Sequence, residues 1–501
     1  MKINYKTIFF VVLLLLYLSF ANNYIGSNAD DSIYVVLGKS LAEGNGYRII
    51  SSPENYVNAE YPPLFPLFIS LIFLLGGNIF VIKLLIGVLG VLGIYFIYLF
   101  LKLFLKEKQA FIITILTGIA PLFVFYTHQI LSEVPYFLFS ILALYFFVKS
   151  MDNKFSKKYL FLCSLFILLA YFTRTIGFIL IIAIGLYIIF ERLNKSTIRK
   201  FIFIILIIAI PILLWSVRIL DNEGQIYEQY SYKDIFLRNA LYDVDSGNLN
   251  LNGIIGRILY NGEKHITQFS KTVFDQINWI SLFYPGLRIL EFSIILIIFL
   301  IIFIGFIFSL IKNRTIIEYY FFTYMFFILL IPDPSSRFLF PIIPFIINYF
   351  FKGIEIISNK LDKKIIINLF IILVVICSVL SLSKDLYTEH KEDYYLENWG
   401  ENVAGFVEMA LWAKDNISKE DNVIVYNPYM FYLISGIKGN IPLLSYNKEE
   451  VLNQIYQKNA EYIIIDKGVG KRYLGTVISE DRFELVYEKD GNYIYKVKPL
   501  S

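Results

Sequence analysis

Two adjacent aspartates, Asp30 and Asp31, stand a few residues after the first apolar run, in the stretch SNADDSIYVVLGKSLAEGNGY. A carboxylate held against an apolar wall has a raised pKa and can take a proton from a substrate. Two neighbouring carboxylates also suit a divalent cation. The plain alternative is that both are solvated, or that they cap the helix that follows. Glu133, in THQILSEVPYFLFSILALYF, is a second acid at a helix start. It either complements the helix dipole, aided by Pro135, or faces the first acid across a cavity. Arg174, in YFTRTIGF, and Arg337, in PDPSSRFLFPIIPF, have apolar flanks. Each either snorkels to an interface or binds a phosphate with its forked donors. Lys83 lies about one turn inside an apolar helix, where it snorkels outward or pairs with a lipid phosphate. His128 reads as a surface or hydrogen-bonding histidine, and Glu60 and Tyr61 stand directly before a Pro-Pro pair.

The elements that carry these residues are membrane helices. The chain has 501 residues, 57% of them hydrophobic and only 17% charged, with a mean hydropathy of +0.62. Apolar runs near the bilayer-spanning length recur along it, so the fold class expected is a polytopic α-helical membrane protein. Lys and Arg fix the sidedness. With the N-terminus inside, spans at about 7–21, 79–101, 109–127, 134–149, 159–172, 176–190, 201–218, 288–311, 315–331, 338–351 and 365–382 leave every inside segment with at least two basic residues. That gives about 11–13 transmembrane helices, long outer loops at 22–78 and 219–287, and an outer C-terminus. The run PPLFPLFISLIFLLGG from Pro62 is short and proline-rich, and counting it as a span would reverse every later loop. It is expected to be re-entrant or interfacial. On this scheme Asp30, Asp31, Glu60, His128, Glu133, Arg174 and Arg337 all fall at outer helix ends, where ionisable groups are costly and point to function.

Residues 1–382 therefore form a membrane domain, and the tail 383–501 changes character. ENVAGFVEMALWAKDN has helical periodicity, while NVIVY, EYIIID and FELVYEKDGNYIYKV read as strands, the last a hairpin turning at Asp490-Gly491. A small extracytoplasmic α/β domain is expected. The N-terminus resembles a signal peptide but lacks a clean cleavage site, so it is read as a retained helix. Cys163 and Cys377 lie inside apolar runs, and no disulfide framework or zinc-ligand spacing is indicated. No phosphate-cradling glycine loop is present, which argues against ATP-driven transport. The net charge of +4 follows from topology and gives no reason to expect a nucleic-acid partner.

The order of these motifs resembles the polytopic GT-C glycosyltransferases, above all the branch of the protein O-mannosyltransferases and the lipid A aminoarabinose transferase. The resemblance covers nearly the whole chain. It runs from the acidic pair in the first outer loop through the Pro-Pro element AEYPPLFPLFISLIF, the second acid in HQILSEVPYFLFSILALYF, FTRTIGFIL and SSRFLFPIIPF to the outer tail. It implies an inverting transfer of a sugar, mannose or another hexose or pentose, from a polyprenyl-phosphate donor to a hydroxyl of a protein, lipid or glycan acceptor, at the outer face of the cell membrane. Asp30 then matches the family's first-loop acid as proton acceptor, with Asp31 next, and Glu133 matches the second acid, which orients the acceptor or holds a metal. Arg174, Arg337 and Lys83 are the expected phosphate ligands, and Glu60, Tyr61 and His128 line the acceptor cavity. No cofactor is firmly implied. A divalent cation on Asp30, Asp31 and Glu133 is an open expectation. The aminoarabinose branch carries a Lys before its Pro-Pro where this chain has Tyr61, so the phosphate ligands differ from that pattern.

Three other classes compete. A secondary transporter puts charges and broken helices at the midplane, commonly with repeats, whereas here the charges cluster at outer ends. A lipid-linked oligosaccharide ligase or polymerase uses an outer loop rich in Arg and His, and 219–287 offers Arg238, Arg257 and His265. A non-enzymatic envelope scaffold predicts that Asp30→Asn is silent.

Overall fold

The computed structural model describes residues 4–26, 29–151, 156–222, 247–271, 288–332, 334–357, 363–443, 445–478 and 482–498. Much of the loop 219–287, Arg238 included, lies outside them. Contacts divide the chain into two units: Met1–Ala21 with Lys83–Asp221 and Asn250–Leu386, and Asn22–Ile82 with Asn222–Leu249 and Tyr387–Ser501.

The first unit is helical. In a bilayer only a helix or a closed barrel satisfies every backbone group, and these runs of Ile, Leu and Phe take the helical solution. Among the described residues six helices are long and apolar enough to cross a membrane: Ile79–Leu101, Glu133–Met151, Lys195–Asp221, Ile289–Lys312, Ser336–Ile357 and Ile371–Glu389. The run read as one helix over 109–127 is instead two, Glu107–Gly118 and Pro121–Thr127, bent by 61°. Proline disfavours the helical region for the residue before it, and Ala120 is extended at φ −59°, ψ 129°. Tyr5–Ser19, Thr175–Glu191 and Ile316–Ile328 are shorter apolar helices.

Burial separates the roles of these helices. Glu133–Met151 is 72% buried over its apolar window, whereas Lys195–Asp221 is 11% buried. The latter buries Thr197, Ile204 and Ile208 against its neighbours and leaves apolar residues such as Leu206, Ile210, Leu213 and Leu214 exposed, as a lipid-facing helix does. The helices Arg288–Lys312 and Ile343–Ile357 cross at two glycines. A Cβ on Gly305 would lie 1.9 Å from the Tyr349 carbonyl oxygen, and one on Gly353 would lie 2.0 Å from that of Ile301. Small residues let helix backbones approach where lipid supplies no hydrophobic drive.

The second unit joins the segment Asn22–Ile82 to the tail. Helix Ala29–Ala42 packs on Leu64–Leu74, with Gly38 set against Ile69. Between them runs a two-stranded antiparallel pair, β1 (Arg48–Ile49) and β2 (Tyr56–Val57). Leu64–Leu74 has only 11 residues, too few to span a bilayer alone, in keeping with a re-entrant or interfacial helix. The tail contributes β3 (Val423–Val425), β4 (Gly439–Asn440), β5 (Tyr462–Ile465), β6 (Phe483–Lys489) and β7 (Asn492–Val497), in sheet order β4-β3-β5-β7-β6. β3 is parallel to β4 and β5, and β7 is antiparallel to β5 and β6. Apolar clusters cover both faces of this sheet. The hairpin turns at Asp490 and Gly491, both with positive φ, 52° and 83°, as a two-residue turn of matching twist requires.

The tail is fastened to the segment Asn22–Ile82 by polar contacts. Lys458 donates to Glu54 at 2.6 Å, the Gly439 N–H donates to the Ser51 carbonyl at 2.8 Å, and the Asn22 amide donates to the Glu389 carboxylate at 2.7 Å. The rings of Tyr24 and Tyr394 stack with centroids 4.4 Å apart.

Candidate active site

In the second unit the acidic pair occupies the first turn of helix Ala29–Ala42. That setting favours negative charge through the helix dipole. The two carboxylates diverge in environment. Asp31 is fully buried, while Asp30 is half-buried and accepts a 2.7 Å hydrogen bond at Oδ1 from the Tyr61 phenol. Tyr61 is itself tied down. Its carbonyl accepts from the Tyr47 hydroxyl at 2.9 Å and from the Asn58 amide at 2.9 Å, and its ring meets Tyr34 edge-on at 5.2 Å. Tyr47 also donates to the Pro62 carbonyl at 3.1 Å, anchoring the start of the Pro-Pro element. Glu60 lies beside the same aspartate. Burial, and then the Asp30 charge, push its carboxyl up to about 8. Glu60 is thus largely protonated at neutral pH. Burial and the neighbouring Asp30 charge push the Tyr61 phenol well above its ordinary value, so it stays a donor.

In the first unit Glu133 opens the central helix with its side chain buried. Two arginines from distant parts of the chain reach the same oxygen. Arg174 contacts Glu133 Oε1 through Nη1, and Arg337 donates Nε–H to it at 2.7 Å. Arg174 also donates to Ser132 Oγ at 3.3 Å, and its guanidinium lies over the Phe338 ring at 5.9 Å. It occupies an extended joint, φ −146°, between Ser156–Thr173 and the 3₁₀ turn Thr175–Phe178. Arg337 belongs to the 3₁₀ turn Ser336–Ile342, whose first N–H groups are capped by Ser335. A helix junction at Arg174 and a 3₁₀ helix start at Arg337 thus present the two guanidiniums. One buried carboxylate oxygen thus holds two guanidiniums, groups whose forked donors suit phosphate recognition in general.

The remaining site residues fall as follows. Lys83 is 1% exposed, so it does not snorkel to solvent. His128 is buried, stacked on Phe20 with centroids 4.9 Å apart, and is not the surface histidine of the alternative reading. Arg257 donates to the Leu330 carbonyl at 3.4 Å, fastening helix Leu251–Lys271, and within that helix His265 Nδ1 lies 2.8 Å from Gln268 Oε1. Sequence reasoning missed Tyr47, Asn58 and Ser132. Only Ser132, next to Glu133, carried a positional signal.

The residues fit a divalent cation poorly. Glu133 sits between two guanidiniums, which oppose a cation, and Asp30 and Asp31 are in unlike surroundings. Among the described residues no three His, Cys, Asp or Glu side chains gather as metal ligands.

With this geometry in hand the comparisons can be read. Residues 60–215 match the family model described as dolichyl-phosphate-mannose-protein mannosyltransferase, a stretch that holds Glu60, Tyr61, Lys83, His128, Glu133 and Arg174. Among solved structures the chain is similar to ArnT from Cupriavidus metallidurans bound to undecaprenyl phosphate, with TM-score 0.62 and 10% identity over 98% of this chain and 97% of that one. The apo state of the same protein gives 0.59 and 12% over the same shares. The oligosaccharyltransferase AglB from Archaeoglobus fulgidus, in complex with an inhibitory peptide and a dolichol-phosphate, gives 0.58 and 12% over 99% of this chain and 74% of that one. No curated protein matches the sequence. At these identities the structural likeness establishes the fold, which is that of the GT-C glycosyltransferases.

Proposed function

We propose that the chain transfers a sugar from a polyprenyl-phosphate donor to a hydroxyl on a protein, lipid or glycan, with inversion, at the outer face of the cell membrane. The observation that carries the reading is the convergence of Arg174 and Arg337 on one oxygen of the buried Glu133. Two cations on one anion make a receptor for a phosphate that gains charge as it leaves. The acceptor oxygen attacks the anomeric carbon, the bond from that carbon to the phosphate oxygen breaks, and the polyprenyl phosphate departs as the anion. Asp30 takes the hydroxyl proton. Tyr61, which donates to its Oδ1, orients the carboxylate. The leaving group needs no strong acid, only cations where charge develops, the role of Arg174 and Arg337, with Lys83 a further phosphate ligand. Glu133 fixes both arginines. Glu60, Tyr61 and His128 belong to the acceptor side, and no step is drawn through a cation.

The sidedness rests on the distribution of Lys and Arg, with the N-terminus cytoplasmic and the tail extracytoplasmic. The tail domain over 383–501, held against the segment that bears Asp30, orients the acceptor. The reading is tested by reconstituting the purified protein with radiolabelled polyprenyl-phosphate sugars and envelope acceptors, beside Asp30→Asn. Donor-dependent labelling that is lost in the variant is expected. Equal labelling in both removes Asp30 from the mechanism, and no labelling by folded protein with any donor overturns the transferase assignment.

A further inference from the structure

Away from the candidate active site, the first unit has an open cleft of about 710 Å³ where the ends of helices Arg288–Lys312 and Ile316–Ile328 meet the helix Ile343–Ile357. Three cations line it, Lys312, Arg314 and Lys352, with two carboxylates, Glu191 and Glu318. The carboxylates are engaged internally. Glu191 accepts from the Tyr319 hydroxyl at 2.6 Å and pairs with Arg314 at 3.5 Å. Glu318 accepts the N–H and hydroxyl of Thr315 at 2.8 and 2.6 Å, closing a capping box. Lys352 stands 3.7 Å from Glu318, within attraction but beyond a hydrogen bond. Lys312 has no ion-pair partner among the described residues. Three positive charges against two negative leave the lining one negative charge short, which is the charge of a phosphodiester.

Two further features narrow the ligand. Asn348 is 1% exposed, and its Oδ1 has no hydrogen-bond partner among the described residues. A buried acceptor left open is costly and calls for a donor. The mouth of the cleft also continues into an apolar stripe. Ile311 lines the cleft and is 65% exposed, and Leu300, Ile304 and Phe308 continue its exposed face at helical spacing. A ligand that fills both parts has an anionic head bearing a hydroxyl and an apolar tail.

We propose that this cleft seats the headgroup of an anionic phospholipid, its phosphodiester against Lys312 and Lys352, a headgroup hydroxyl donating to Asn348 Oδ1, and an acyl chain along the stripe ending at Ile311. Basic pockets between membrane helices recognise lipid headgroups in this way. The site is independent of the sugar-transfer reading and stands or falls without it.

The test uses the full chain in nanodiscs of phosphatidylcholine with a minor share of phosphatidylglycerol, with retained lipid read by native mass spectrometry after detergent washing. Phosphatidylglycerol is expected to be retained above its share, and Lys312→Gln to lower that retention about fivefold, as loss of one cation near a lipid phosphate predicts. Lys312 is exposed, so the variant keeps its fold, which its melting midpoint checks. Asn348→Leu is expected to erase the preference for phosphatidylglycerol over phosphatidic acid, whose head lacks the hydroxyls. Retention in proportion to the bilayer, or retention unmoved by Lys312→Gln, overturns the proposal. Displacement of the lipid by soluble glycerol 3-phosphate at equal concentration overturns the lipid assignment in favour of a free phosphate ester.

Discussion

The Tyr61 phenol donates to Asp30 Oδ1 across 2.7 Å, and nothing in the 31-residue separation of the two announces it. The hydrogen bond favours the charged carboxylate. On the proposed reading Tyr61, at the position where the resemblance would place a lysine, supports the base instead of the phosphate.

Tyr61→Phe removes the donor and raises the Asp30 pKa. The acid limb of kcat/KM is expected to move upward by about one to two pH units, the equivalent of a charge-assisted hydrogen bond of about 1.5–3 kcal/mol. Activity then falls most at low pH. A profile that does not move would show that Tyr61 does not set the state of Asp30.

Glu60 adds its own pH dependence to stability. Its folded pKa of about 8 lies above the ordinary carboxyl value, so the folded protein binds more protons than the unfolded chain between those two values. The sign follows: stability falls as pH rises through that window, and is greatest below it. The melting midpoint in detergent is expected to drop from about pH 5 to pH 8, and Glu60→Gln to flatten the curve.

Glu133→Gln leaves two guanidiniums facing each other without their shared anion. Breaking such a buried pair costs about 3–5 kcal/mol, so a clear loss of melting temperature accompanies the loss of transfer. Arg337→Lys is milder for the fold, since it keeps a positive charge, but it loses the forked donor. A fall in kcat of about 10²-fold with little change in melting temperature is expected if Arg337 meets the leaving phosphate. A large melting shift with unchanged kcat would make it purely structural.

Gly305→Val places a branched side chain where a Cβ alone would lie 1.9 Å from the Tyr349 carbonyl oxygen. Overpacking of about 1–3 kcal/mol or more is expected, because a backbone atom cannot yield as a side-chain tip does. Detergent-extracted yield and melting temperature report it. Gly256→Val, with no atom near its Cβ position, is the contrasting control.

Much was legible in the sequence because its causes are local. Long apolar runs become helices wherever the backbone must satisfy itself, and Ile79–Leu101 has the bounds read for it. Alternation and an Asp-Gly turn gave the hairpin from Phe483 to Val497. Proline punctuation shows the limit of such reading. Pro121 lies within a run that is apolar throughout, so hydropathy sees one helix where the chain has two. The residue types at the site were visible for the same local reason, as charges stranded at the ends of apolar runs.

Their partnerships were decided by tertiary structure. Arg174 and Arg337 lie 41 and 204 residues from the glutamate on which they converge. Either arginine by itself also fits snorkelling, and local sequence is the same in both cases. Likewise Glu60 and Tyr61 are ordinary loop residues until folding sets them against Asp30, where burial and a neighbouring charge change what each proton does. Sequence by itself determined which groups cannot stay in lipid unpaired. Only the packing of distant segments decided which of them pair, because that choice depends on where helices break and cross rather than on any residue's neighbours in the chain.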